Sequence, residues 1–151
     1  MILAVFAVAC FTYSASITVE RSKAMAADGL AAAARAAIAQ VAETFHLDRS
    51  PIDLEGMKQA AADDRSEYRP LAVYRNTIQS GVLERGRIIL VLQQHEGDGG
   101  MRVIIRDLQR EEATPLTEAI EEEIVKRLTA EVGSDNVRVQ RGRVGRSIYA
   151  P

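Results

Sequence analysis

The chain has 151 residues, 47% of them hydrophobic and 26% charged, which suits one ordinary domain with an appendage and argues against wholesale disorder. A formal net charge of −2 is too close to neutral for a nucleic-acid binder held by bulk electrostatics, and 5% aromatics without tryptophan leave little material for a stacking platform. Cys10 is the only cysteine, so an internal disulfide is excluded, and a zinc site would have to draw on His46, His95 and carboxylates.

The first nineteen residues, MILAVFAVACFTYSASITV, carry no charged side chain. Four readings compete for them. A cleaved leader fits the apolar run and the small residues Ser14-Ala15-Ser16 but lacks a basic start. A lipidated leader at Cys10 lacks the same start. A spanning helix fits the length, near the lower limit of the roughly 17–25 residues that cross a bilayer core, and a buried strand fits ILAVFAV.

Ser22 to His46 favours the anchor. Leu30, Ala34, Ile38, Val41 and Phe45 recur at helical spacing in an alanine-rich segment, and no proline separates it from the apolar run. A continuous helix to Phe45 would extend roughly 65–70 Å at 1.5 Å per residue, too long for so small a domain to cover. Part of it is therefore expected in lipid or against partner chains. Arg21, Lys23 and Arg35 all follow the run, which places the domain in the cytoplasm by the positive-inside rule; a basic segment upstream would reverse this, so either side of the membrane stays open.

Ser50, Pro51 and Asp53 make a capped start for a short helix ending by Asp64. Pro70 breaks the next stretch, and the β-branched and aromatic content of Val73 to Ile78 favours a strand. Arg87 to Gln94 (RIILVLQQ) reads as a central strand and Met101 to Leu108 as a second, joined by HEGDGG into a hairpin. Thr114 and Pro115 open a helix with Leu116, Ile120, Ile124, Leu128 and Val132 spaced by four, and Gly133 ends it at a positive φ. Asn136 to Val144 returns as a strand, parallel to Met101–Leu108 if the two are neighbours.

The fold class expected is thus α+β: a long N-terminal helix with an apolar first half, then a small ββαβ-containing domain with a mixed sheet. The chain divides into residues 1–46 (anchor and Ala-rich helix), 47–86 (short helix and connector) and 87–151 (ββαβ core).

Chemistry-bearing motifs are few. His95, Glu96 and Asp98 are three ligand-type residues at a hairpin tip, too few oriented groups for a metal site, and GDGG lies between strands rather than at a strand-to-helix turn that holds phosphate. Neither histidine has a nucleophile to pair with, so no catalytic, cofactor-binding or metal residues are assigned, no cofactor is expected, and the chain is expected not to be an enzyme. Glu111, Glu112, Glu118, Glu121, Glu122 and Glu123 surround the start of the last helix, where its dipole favours negative charge. Arg138, Arg141, Arg143 and Arg146 form a basic tail, the one candidate interaction surface, to be weighed against a charged edge strand that discourages edge-to-edge pairing.

The function expected is a non-enzymatic, membrane-tethered interaction or assembly module of a bacterial envelope. It would be single-pass, held by a signal-anchor or transmembrane helix, and would meet a protein partner or further copies of itself through the N-terminal helix; nucleic acid is not an expected partner. The alternative is a soluble ligand-binding or regulatory domain with a ferredoxin-like sheet, secreted, lipidated or cytoplasmic.

Overall fold

The computed structural model describes residues 11–51, 67–76 and 88–145. Among them six strands form one antiparallel sheet: β1 (Phe11–Val19), β2 (Leu47–Ser50), β3 (Tyr68–Asn76), β4 (Ile88–His95), β5 (Met101–Asp107) and β6 (Val137–Gly145). Their spatial order is β2-β3-β4-β5-β1-β6, and α1 (Ala27–Thr44) and α2 (Pro115–Val132) pack together on one face.

β1 is a strand because its side chains alternate. Tyr13, Ala15, Ile17 and Val19 are buried on the helix side, while Thr12, Ser14, Ser16 and Thr18 fall on the opposite face. A helix would have spread these two sets around its circumference. The expected long helix with an apolar first half is therefore corrected: Phe11–Val19 lies in the sheet, hydrogen-bonded between β5 and β6. The chain then turns at Ser22, whose carbonyl accepts from Met25 N at 3.0 Å, and helix starts only at Ala27. No helix among the described residues is long and apolar enough to cross a membrane, which overturns the transmembrane and signal-anchor reading and the single-pass location built on it. Residues 1–10 lie outside the described ones.

α1 buries Leu30, Ala34, Ala37, Ile38, Val41 and Ala42, close to the stripe read from its spacing, and stops where His46 adopts φ 56° and turns the chain into β2. Ser50 closes that strand rather than capping a helix, and the helix expected up to Asp64 falls outside the described residues. β3 carries Pro70 at a register shift between Pro70 and Ala72, where a residue without an N–H is tolerated.

α2 starts at a capping box: Thr117 N donates to Thr114 Oγ1 at 3.3 Å and Thr114 N donates to Thr117 Oγ1 at 2.8 Å. It ends at Gly133, φ 83°, as its sequence predicts. Ile120, Ile124, Leu128 and Val132 share one core with Ile88, Leu90, Val103 and Ile105, whereas Leu116, expected on that face, is 40% exposed: a spacing of four drifts about 40° per step around a helix of 3.6 residues per turn, and Thr117 takes the buried position of the first turn.

The mixed sheet is the second correction. β5 and β6 do run in the same direction, but they are not neighbours: β1 lies between them and pairs antiparallel with both. The connection through α2 steps over one strand, and that strand comes from the start of the chain. A second small cluster, Val73, Ile89 and Val91 with Ile104 and Leu108, is buried on the face opposite the described helices, so β4 is apolar on both sides.

Candidate functional site

β6 closes one edge of the sheet, and its outer side has no partner strand among the described residues. Its sequence VRVQRGRVG holds three valines and three arginines. Val137 and Val139 are half-buried beneath α2, followed on the same face by Arg141 and Arg143, while Arg138, Gln140 and Gly142 belong to the opposite face.

The backbone of this strand can be assigned residue by residue. Glu20 N donates to Asn136 O at 2.9 Å, and Val19 stands opposite Val137. Because antiparallel pairs alternate between bonded and non-bonded, Arg138, Gln140 and Gly142 bond inward to β1. Val137, Val139, Arg141 and Arg143 then turn their N–H and C=O groups outward.

The arginines named from the sequence do not form one basic patch. Arg138 pairs with Glu20 at 3.1 Å and Arg143 with Glu112 at 3.2 Å, both in solvent, and Arg141 pairs with Glu121. Arg146 lies outside the described residues. The acidic cluster is divided in the same way, since Glu112 and Glu121 serve different arginines.

Glu121 is the polar residue that sequence reading missed. It is buried on the inner face of α2, where its Oε2 accepts from Tyr13 Oη at 3.0 Å and its Oε1 accepts from Arg141 Nε at 2.7 Å. Burial, and then the adjacent Glu121 charge, push the Tyr13 hydroxyl up to about 12. Hydrogen bonding to Glu121 and its charge raise Arg141 in turn. The available signal was position: Glu121 sits four residues after Thr117 and three before Ile124, inside the apolar stripe of its helix.

On the opposite face the polar side chains of β1 stand between residues of β5 and β6. Thr18 stands between Arg102 and Arg138, Ser16 between Ile104 and Gln140, and Ser14 between Arg106 and Gly142. Arg102 Nε donates to Gln93 Oε1 at 2.8 Å and its guanidinium lies 3.9 Å from the centre of the Tyr68 ring. Arg106 Nη2 donates to Thr12 Oγ1 at 2.7 Å.

At the β4–β5 turn, His95 Nε2 lies 2.9 Å from Glu67 Oε2, and His95 Nδ1 accepts from the backbone N–H groups of Gly97 and Asp98, each at 3.1 Å. That ring nitrogen is engaged in shaping the turn, and no group of three His, Cys, Asp or Glu suited to a metal occurs among the described residues. No protein-family model, curated protein or solved structure matches the chain.

Proposed function

We propose that this chain is a non-enzymatic interaction module whose working surface is the outer edge of β6, where an extended segment docks by adding a strand. The observation that supports this reading is the open edge itself: a strand of nine residues, Val137–Gly145, with alternate backbone groups directed outward and no neighbour among the described residues. Such an edge is a template for main-chain hydrogen bonding, which supplies affinity, while the flanking side chains supply selectivity.

The reading is tested with a proline. At Val139 the N–H points outward, so Val139→Pro removes one docking donor and leaves the ladder to β1 intact. Extended peptides selected from a display library on the full chain are expected to lose binding to Val139→Pro. Peptides that bind the parent and the variant equally well would sink strand addition at this edge.

A second reading, a ligand-binding domain, draws on the rank Arg102–Thr18–Arg138, in which a hydroxyl stands between two guanidinium-bearing residues on the face opposite α1 and α2. Such an arrangement suits an oxyanion. Titration with inorganic phosphate should shift the amide resonances of Thr18 and Arg138 first, and unmoved resonances there would remove this reading.

A further inference from the structure

Resting on the reading of β6 as a docking edge, we infer that its occupant is a second copy of this chain, paired antiparallel β6 to β6 about a two-fold axis at Gln140. Register selects this pairing. Outward-facing residues of one strand must meet outward-facing residues of the other, and in β6 these are Val137, Val139, Arg141 and Arg143. Three two-fold registers satisfy that condition near the middle of the strand, centred on Val139, Gln140 or Arg141.

The charge pattern separates them. Centring on Arg141 sets that residue against Arg141 of the partner subunit, a like-charge pair directly opposed, which destabilises. Centring on Val139 avoids this but pairs only Val137 through Arg141 before the strand gives way to the turn at Ser134–Asn136. Centring on Gln140 pairs Val137 through Arg143 and opposes no like charges. Val137 then faces the partner's Arg143, Arg138 faces the partner's Gly142, Val139 faces the partner's Arg141, and Gln140 faces the partner's Gln140.

The register also completes local packing. Val137 and Val139 are only half-buried in one copy. Opposite them come the aliphatic stems of the partner's Arg143 and the partner's Arg141, a common use of arginine at a surface. Arg141 is held for this by Glu121, and Arg143 by Glu112. Among the described residues the other edge offers no single strand of that length, because β2 has four residues and covers only Val73–Asn76 of β3. Two copies joined in this way make one continuous sheet with β6 strands at its centre. A single strand pair buries less than the about 1,200 Å² of the smaller stable interfaces, so the dimer forms at high protein concentration rather than at high dilution.

Cysteine cross-linking of the full chain in a Cys10→Ser background tests this directly. Gln140 would face its own copy in a non-hydrogen-bonded pair with Cα atoms about 4.5 Å apart, inside the roughly 4.4–6.8 Å range of a disulfide. Arg138 would lie four residues from its own copy, about 13 Å away along the strand. Under mild oxidation Gln140→Cys should give covalent dimer at least tenfold faster than Arg138→Cys, and adding Val139→Pro should abolish that difference while the thermal melt stays cooperative. Gln140→Glu, which opposes two carboxylates at the axis, should weaken dimer formation seen by sedimentation. A chain that sediments as a monomer at about 1 mM and links no faster through residue 140 than 138 overturns the self-pairing but leaves strand docking by other partners standing. A dimer that is insensitive to Val139→Pro overturns the self-pairing, and peptide binding equally insensitive to it overturns both.

Discussion

Arg141 and Glu121 form an ion pair across the boundary of the core: the carboxylate side chain is 3% exposed and the guanidinium side chain 63%. The edge strand is thereby fastened to α2 by a contact whose two ends differ in environment. Arg141→Met keeps the stem but leaves a buried carboxylate with Tyr13 as its remaining partner. The expected cost is about 2 kcal/mol, between the ~0–1 of an exposed pair and the ~3–5 of breaking a buried one. Arg143→Met, which loses the solvent pair with Glu112, should cost no more than about 0.5 kcal/mol. Chemical denaturation of the two variants side by side checks the order, and equal midpoints would show that Glu121 draws no stability from Arg141.

Tyr13 gives a pH prediction. Its hydroxyl is raised in the folded chain to about 12 from an ordinary value of 10.0, chiefly by burial and next by the neighbouring Glu121 charge. A group with a raised folded pKa stabilises fully below its unfolded value and loses that contribution as pH climbs to the folded one. Stability should therefore fall between pH 10 and 12, by up to about 2–3 kcal/mol from this residue. Tyr13→Phe should flatten that limb of the profile while costing about 1–2 kcal/mol at neutral pH, where Glu121 loses a donor. An alkaline profile identical in parent and variant would refute the assignment.

Two glycines with positive φ separate strain from collision. Gly133 (φ 83°, ψ 152°, a region nearly confined to glycine) has no atom within 4 Å of an added Cβ, so Gly133→Ala pays for backbone conformation alone, about 1–3 kcal/mol. At Gly99 (φ 77°) an added Cβ would stand 2.5 Å from Ala27 Cβ, at the start of α1. Gly99→Ala should cost at least about 2 kcal/mol more than Gly133→Ala, since either the turn or the helix must shift. Thermal melts rank them, and the reverse order would misplace the β4–β5 turn against α1.

The same comparison applies along α2. Ile124 is completely buried and Leu116 is 40% exposed, although both belong to one spacing of four. Ile124→Ala should cost about 2–5 kcal/mol and Leu116→Ala less than about 1. If both cost the same, α2 is rotated or shifted from the position described.

What the sequence disclosed and what it concealed follow from the range of the forces involved. Thr114, Pro115 and Gly133 act within one turn of chain, so the bounds of α2 are legible, and the apolar run of β4 and the glycines after it disclose the hairpin. The strand nature of β1 was also legible in FTYSASITV, whose period of two is strict from Thr12 to Val19. It was hidden by the apolar residues before it, which invite a helical reading of the whole stretch. The insertion of β1 between β5 and β6 was not legible, because a pairing between residues some 120 positions apart leaves no local mark. Arg141 was visible as part of a basic run, but its partner Glu121 looked like one more carboxylate in an acidic helix start.

Site-resolved amide hydrogen exchange along β6 tests most directly whether the edge is open with alternate groups facing outward. In dilute protein, Arg138, Gln140 and Gly142 should exchange slowly through their bonds to β1, while Val139, Arg141 and Arg143 exchange close to the rate of an unstructured chain; at high concentration the second set should slow as well. Uniform protection along the strand at every dilution, or uniform fast exchange, would contradict the account.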